Sequence, residues 1–454
     1  MSNPLDSLDP AWAWAPYQPD ARRPWNLPLA GHLYRRAGFG GDWPTLQQAL
    51  ADGPQRAVER VLRPEADVEA FNRRHDQLEM ASIDVDSDST QTLRQWWLRR
   101  MIQSPHPLLE KMTLFWHGHF GTSGGRAGSE RLVQRYVQLL RRHALGSFAQ
   151  LLEAASREPA VLANAQAKNN PKARPNEYFA RVMLEFYALG PGVATESDLR
   201  EAARAFTGCS VLRGEYRYLE REHDDGPKRV LGREGPLGGA DVLKIALAQQ
   251  AAPRWLVRKL FAWLVSETAQ APGSLTAPLE ALLAKDYDVG RLLGVILRSN
   301  LFFSPAAYRQ RVKSPLELAL GIVRGLGGLV PTGPLGYQLS LMGQDLCEPP
   351  TVHGWEGGVL WLNRVTLVER SNMARALLAD AGAYEGKLNP AETARKQGFG
   401  SPEGAVRFLL DLFVQGDVPA ALSEKLADAA RRGDDARLRQ LAHVVVTLPE
   451  FQLA

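Results

Sequence analysis

The stretch Leu108–Phe120, Leu-Leu-Glu-Lys-Met-Thr-Leu-Phe-Trp-His-Gly-His-Phe, decides the fold class of this chain. It has the composition of an apolar helix that runs up to a Gly-rich break. Apolar residues recur at helical spacing from Leu29, and again from Asp241 onward, whereas Val211–Glu222 alternates enough to predict a hairpin. The sequence therefore predicts a mainly α fold, a large irregular multi-helix domain with a small β-hairpin insertion near 210–232.

The N-terminal end differs in composition from the rest. Residues 1–23 are rich in Pro, Ala and Trp and show no period. We expect residues 1–28 to form an arm on the surface, held in place by docking of Trp12, Trp14 and Trp25.

Composition narrows the classes of partner. The 54 Lys and Arg residues barely exceed the 50 Asp and Glu residues, and the excess is scattered, so nucleic acid is not an expected partner. The best candidate for a membrane span, Leu316–Leu335, is interrupted by charges, Gly and Pro, so we expect no membrane span.

The N-terminus lacks the pattern of a secretory signal, which predicts a cytoplasmic protein, or a periplasmic or exported one if a leader was removed.

Two histidines at the end of the apolar helix are candidate metal ligands. Residues two apart on a regular helix point to different sides, so His117 and His119 could bind one metal ion only if the helix breaks at Gly118. His223 is a third candidate ligand, and a mixed set of imidazole and carboxylate ligands suits Zn, Mn or Fe. The alternative is that one histidine caps the helix while the other packs against its aromatic neighbours.

Carboxylates on two later helices are the candidate catalytic groups. Glu177, Arg181 and Glu185 lie four apart on a helix that is apolar over much of its circumference, so they form either an exposed ion-pair ladder or a buried site. On the next helix Glu201 lies among small residues, and it is either a buried acid or the partner of a neighbouring arginine such as Arg204.

Two loops add further candidates. The turn His223–Lys228 holds Asp224 as an acid, with Lys228 as a cation that could contact substrate, although Asp-Gly-Pro forms a turn without any function. The loop that contains Trp355 and Trp361 can form one wall of a pocket, with flat rings for a sugar or aromatic group, or it is a structural loop anchored by these rings.

Several blocks of the chain occur together in a characteristic order. They are Arg35–Gly40, Phe115–Phe120, Asn176–Arg181, Leu189–Gly190, Thr195–Gly208, His223–Asp224 with Lys228 and Gly232, Lys313–Pro315, and Pro349–Trp361. In this order they resemble the bacterial family called domain of unknown function 1800, over nearly the whole chain. The resemblance implies one extended domain over residues 29–454.

The functional implications of the resemblance are broad, because the family has no settled activity. Many members look exported and are encoded near proteins of the sulfatase/alkaline-phosphatase superfamily, which implies envelope or polysaccharide work and a protein partner of that type. This chain departs from the pattern at Val182, where members often carry an acid, and at His353, which replaces a commonly basic residue. The first departure leaves Glu177 and Glu185 as the carboxylates of that helix.

Three hypotheses follow. In the first, the histidines and carboxylates bind one divalent metal ion (Zn, Mn or Fe) in a hydrolase or oxidoreductase. In the second, paired carboxylates act on a glycan or small molecule without a metal, and tryptophan provides a stacking surface. In the third, the protein is a non-catalytic binding scaffold. The candidate catalytic residues are Glu177, Glu185, Glu201 and Asp224, and the candidate substrate-binding residues are Arg36, Arg181, Lys228, Trp355 and Trp361.

Overall fold

Side-chain caps fix many of the helix starts in this chain. Asp42 caps one helix by accepting from the backbone N–H of Thr45, and Thr195 forms a capping box with Asp198. Because each cap satisfies backbone donors that the first helical turn leaves free, the helix begins at a defined residue.

A computed structural model describes residues 4–82, 89–431 and 433–454. Residues 1–3 of the predicted arm lie outside the described residues. The helices of the first half are α1 Pro10–Trp14, α2 Leu27–Arg36, α3 Trp43–Leu62, α4 Val68–Ser82, α5 Gln91–Gln103, α6 Pro107–Phe120, α7 Gly124–Ala127, α8 Glu130–His143, α9 Phe148–Ser156, α10 Pro159–Asn164, α11 Glu177–Arg181 and α12 Glu196–Ala205. The helices of the second half are α13 Gly239–Leu247, α14 Ala251–Leu264, α15 Gly273–Leu283, α16 Val289–Arg298, α17 Pro315–Gly325, α18 Thr332–Leu341, α19 Arg364–Leu378, α20 Pro390–Lys396, α21 Pro402–Val414, α22 Ala420–Ala430, α23 Asp435–Thr447 and α24 Pro449–Gln452. A π-helix, Val182–Leu189, continues directly from α11, and 3-10 turns cover Glu220–Glu222 and Gly358–Trp361.

The β structure is confined to two short hairpins between α12 and α13. Strand β1 (Cys209–Leu212) pairs antiparallel with β2 (Glu215–Tyr218), and β3 (Lys228–Val230) pairs with β4 (Arg233–Gly235). The mainly α class with a small β insertion is therefore confirmed. The first hairpin begins two residues earlier than the predicted Val211, and the second one is an addition to the prediction.

The N-terminal segment is attached to the body by its aromatic residues. The indole N–H of Trp14 donates to the Leu275 carbonyl at 2.6 Å, and that of Trp25 donates to the Ala49 carbonyl at 3.0 Å. Tyr17 is fully buried. In the described residues no helix has both the length and the apolar content that crossing a bilayer requires.

Helix α6 lies inside the protein, because almost its whole circumference is apolar. Its buried residues include Leu108, Met112, Trp116 and Phe120, and it packs against α8 and the π-helix. The helix ends at Gly121, whose φ of 50° is a left-handed conformation that glycine adopts without strain. Side chains on different sides of α6 therefore contact different elements of the core.

Candidate functional site

The break at Gly118 that binding of one metal ion by both histidines would require is absent, since α6 continues as a regular helix to Phe120. His117 and His119 consequently point to different sides. His117 is enclosed by the rings of Trp97, Tyr136 and Trp355 at centroid distances of 5.5–5.6 Å. Burial lowers its pKa to about 3, so this imidazole is neutral near pH 7.

His119 is held in one tautomer by the π-helix. Its Nε2 lies 3.1 Å from the carbonyl oxygen of Tyr187, which can only accept, so the ring proton is on Nε2. Its Nδ1 is then an acceptor, and Lys259 Nζ lies 3.2 Å away and donates to it. The Tyr187 carbonyl is available because the last carbonyls of a helix have no partner within that helix.

Lys259, on α14, is a partly buried cation beside a neutral ring. Its Nζ lies 4.8 Å from the centre of the Trp255 ring, and the indole N–H of Trp255 donates to the Phe186 carbonyl at 3.3 Å. Burial lowers the pKa of Lys259 to about 8. The amine therefore loses its proton much nearer to neutral pH than an ordinary lysine does.

His119 and Lys259 line a cleft of about 830 Å³. Its walls come from α6, α14, the segment 309–314 and the loop 353–361. The wall residues with aromatic, charged or amide side chains include Phe115, His119, Lys259, Trp263, Glu267, Arg309, Gln310, Arg311, Gln344, His353, Trp355, Glu356 and Trp361. Both tryptophans selected from the sequence, Trp355 and Trp361, thus lie at this cleft.

The loop that carries Trp355 is positioned by close backbone contact with α6. A Cβ built at Gly354 would lie 2.1 Å from the Gly118 carbonyl oxygen, and one at Gly121 would lie 2.4 Å from the Val352 carbonyl oxygen. Such distances are far below van der Waals contact, so only glycine fits there. This contact brings Trp355 next to His117 at the rim of the cleft.

Glu267 is the most enclosed carboxylate of the cleft. One of its oxygens accepts from Arg311 Nε at 2.7 Å, and a Cβ built at Gly358 would lie 3.2 Å from the other. Burial raises the pKa of Glu267 although Arg311 opposes the shift. The guanidinium of Arg311 also lies over the Trp263 ring, at 4.4 Å from its centre.

A buried ion network lies behind the cleft. The carboxylate of Glu317, at the start of α17, accepts two bonds from Arg311, at 2.7 and 2.8 Å, and one from Lys111. Its side chain is 3 % exposed, and that of Lys111 is fully buried. Arg311 therefore links Glu317 to Glu267 and fixes the position of the carboxylate in the cleft.

The acids predicted from the sequence lie elsewhere. Glu177 is exposed on the first turn of α11, and Glu185 accepts from Arg181 at 2.8 Å. Glu201 and Asp224 share Arg204, at 2.8 and 2.7 Å, and this pairing lowers the pKa of Asp224 to about 2. These four carboxylates are absent from the described lining of the cleft, and Glu185, Glu201 and Asp224 are each neutralised by an arginine nearby.

The other predicted contacts are also local. His223 Nδ1 lies 2.9 Å from the Thr207 carbonyl, and Lys228 donates to the carbonyls of Asp224 and Gly226. Arg36 is fully buried and donates to the Ala307 carbonyl at 2.7 Å. His117, His119 and His223 thus have three different surroundings. The described part of the chain contains no group of three or more His, Cys, Asp and Glu side chains that could hold a metal ion.

Sequence reasoning missed Lys259, Trp263, Glu267 and Arg311. The signal available was a lysine among apolar residues of Ala251–Leu264, a helix with two tryptophans. The sequence could not show that the segment 309–314 and the loop 353–361, which are distant from this helix along the chain, line the same cleft.

Fold and site together define a mainly helical protein with a tryptophan-lined cleft that contains a carboxylate, an amine and an imidazole. The family model described as Protein of unknown function (DUF1800) matches residues 32–453, so the chain belongs to that family. No curated protein and no solved structure has a significant match to it.

Proposed function

We propose that the protein is a hydrolase that acts on a carbohydrate bound in the cleft of α6, α14 and the loop 353–361. The observation that carries this proposal is that Trp263, Trp355 and Trp361 line the same cavity as Glu267. Sugars have apolar faces and hydroxyl edges, so they fit sites that combine flat aromatic rings with hydrogen-bonding groups. The amides of Gln310 and Gln344 supply such groups.

The proposed chemistry uses Glu267 as the general acid. Because burial raises its pKa, a larger fraction of this carboxyl group keeps a proton at neutral pH than in an exposed glutamate. In glycoside hydrolysis that proton passes to the leaving oxygen as the glycosidic C–O bond breaks, and a second group accepts a proton from the attacking water. Glu356, on the loop wall, and the Lys259 amine, with its pKa of about 8, are the bases available in the cleft.

The metal-dependent alternative has less support, because its ligands would have to come from His117, His119 and His223, which lie apart. Metal analysis of protein purified without an affinity tag tests it directly. A sulfatase-like protein partner and the cellular compartment stay predictions from the resemblance and from the N-terminal sequence.

The test combines binding and turnover on a panel of neutral, uronic-acid and amino-sugar oligosaccharides. We expect quenching of tryptophan fluorescence by at least one class, and release of reducing ends. Trp355→Ala should weaken that binding about tenfold, and Glu267→Gln should lower kcat about 100-fold or more with little change in binding.

Two variants outside the cleft serve as controls. Trp25→Phe alters a partly buried tryptophan of the N-terminal segment, and Glu201→Gln alters a carboxylate paired with Arg204. Both should behave as the native chain does. Full activity of Glu267→Gln, or failure of the whole panel to bind, would contradict the proposal.

A further inference from the structure

Two sequence blocks that the proposed function does not use meet in the core. They are Arg35–Gly40 and Lys313–Pro315, and both contribute to the lining of a small, partly open cavity of about 20 Å³. The polar side chains of its lining are Arg35, Lys313, Glu317 and Gln415, and its apolar ones are Phe39, Leu46, Leu412, Phe413 and Phe451. A cavity of this size holds about one water-sized particle.

The two cations at this cavity are deeply buried. Arg35 is 6 % exposed and Lys313 is 3 % exposed. Arg35 Nη1 donates to the side-chain oxygen of Gln415, and its guanidinium lies 5.7 Å from the centre of the Tyr308 ring, whose side chain also interacts with it; among the described residues its Nε and Nη2 have no hydrogen-bond partner of ordinary geometry. Lys313 Nζ lies 3.5 Å from the centre of the Phe451 ring, a favourable contact that leaves its charge unneutralised.

The nearest carboxylate is already committed to other cations. Glu317 accepts from Arg311 twice, from Lys111, and from the backbone N–H of Ser314. Its four hydrogen bonds occupy the acceptor sites of a carboxylate. Asp417 is paired in turn with Arg309 at 3.0 Å.

The local charge is therefore unbalanced. Among the described residues, the buried cations around Glu317 are Arg35, Arg36, Lys111, Arg311, Lys313 and Arg370, and the carboxylates that act on them are Glu317, Glu267 and, at Arg35, Asp417. Burying an unpaired charge is costly, so a cationic group in such a place either gives up its proton or binds an anion. Burial lowers the pKa of both Arg35 and Lys313, although Asp417 opposes the shift of Arg35 and Glu317 opposes that of Lys313.

We propose that this cavity binds a single-atom anion, chloride, between Lys313 Nζ and the Arg35 guanidinium. Room for about one water-sized particle favours a single-atom ion over phosphate or sulfate, and the apolar rings on the remaining walls offer no further donors to a polyatomic anion. Gly321 provides part of the room, since a Cβ built there would lie 4.0 Å from Lys313 Nζ and 3.5 Å from the Phe451 ring. The site is separate from the cleft and does not depend on the function proposed for it.

The direct test is crystallographic and uses the native chain. Crystals grown in sodium bromide should show an anomalous peak between Lys313 and Arg35. Bromide found only at surface positions would overturn the proposal.

The thermodynamic test compares Tm in sodium chloride and in sodium gluconate at equal ionic strength. A ligand that binds only the folded chain raises Tm, by about 3 °C for a protein of this size when its concentration is 100-fold above Kd. Lys313→Met should abolish the difference between the two salts. Lys228→Met, which removes a buried lysine bonded to the carbonyls of Asp224 and Gly226, should retain it.

An equal Tm of the native chain in the two salts contradicts the proposal, even with a bromide peak, because the peak would then mark an adventitious ion only. Should Lys313→Met fail to fold, the bromide position and the Tm difference of the native chain decide the question.

Discussion

Two regions of the molecule contain the same types of charged residue: the cleft, and the face formed by α11, α12 and the His223–Lys228 turn. They differ in how far apart along the chain the interacting charged residues lie. On the α11–α12 face, Arg181 lies four residues from Glu185, and Arg204 lies three residues from Glu201. In and behind the cleft, Glu267 is paired with Arg311, 44 residues away, and Lys259 contacts two uncharged groups, the His119 imidazole and the Trp255 ring. This difference shows which charged residues mark a candidate site. They are the ones that have no oppositely charged residue close to them in the sequence.

The largest expected effect comes from breaking the network behind the cleft. Glu317→Gln leaves Arg311 and Lys111 buried without their shared carboxylate, and it should lower the free energy of unfolding by about 3–5 kcal/mol. Urea unfolding of the native and variant chains measures this. A loss below about 1 kcal/mol would mean that this buried network contributes no more to the free energy of unfolding than a surface ion pair does.

A smaller effect is expected at the backbone contact under the Trp355 loop. Gly354 has φ 81°, and its hydrogen points at the Gly118 carbonyl, so Gly354→Ala adds strain and a clash and should cost about 1–3 kcal/mol while displacing Trp355. Gly382 has φ 94° with open space around it, so Gly382→Ala is the matched control for strain alone. Equal losses in the two variants would show that the contact with α6 is unimportant.

The third prediction concerns the contribution of Lys259 to the pH dependence of the free energy of unfolding. Its pKa is about 8 when folded, against 10.5 for an ordinary lysine, so between these values the unfolded chain binds more protons than the folded one. This group therefore makes the free energy of unfolding rise with pH over that window, and Lys259→Met should flatten the rise. Well below pH 8 the lysine is protonated in both the folded and the unfolded chain, so it no longer contributes to the slope of the free energy of unfolding against pH.

Chemical labelling checks the same amine independently. At pH 8 we expect acetic anhydride to modify Lys259 readily, because about half of its side chains are neutral, against under about 1 % for an ordinary lysine. Mass spectrometry compares its rate with that of the exposed Lys387. Slower modification of Lys259 at every pH would count against a poised amine in the cleft.

The smallest expected effect lies on the α11–α12 face. Glu201→Gln removes a partly exposed partner of Arg204 that Asp224 still neutralises, so it should change the free energy of unfolding by at most about 1 kcal/mol. A loss as large as that of Glu317→Gln would erase the distinction between the two regions.

Much of the fold follows from local sequence, because local physics decides it. The apolar run Leu108–Phe120 forms a helix, Thr195 and Asp198 form a capping box, and residues 209–218 form a hairpin. The pairing of Glu201 with Arg204 is one of the alternatives that its spacing allows. Each of these outcomes depends on residues fewer than about ten positions apart.

The cleft was only partly predictable, since it is made by segments far apart in the chain. Trp355 and Trp361 stand out from their loop composition, and His119 from its place at a helix end. Lys259 has its apolar helix as the one local signal, and Glu267 has no local pattern that separates it from a solvated residue. Their significance comes from burial and from the approach of α6 and the loop 353–361.

The π-helix Val182–Leu189 has a consequence for insertions and deletions. Its i→i+5 bonds accommodate one more residue per ring than α-helical bonds do, and its end offers the carbonyls of Phe186 and Tyr187 to Trp255 and His119. Deleting one residue would restore α geometry and change the direction and height of those carbonyls. A single-codon deletion there would release both side chains, although every residue that lines the cleft would be retained.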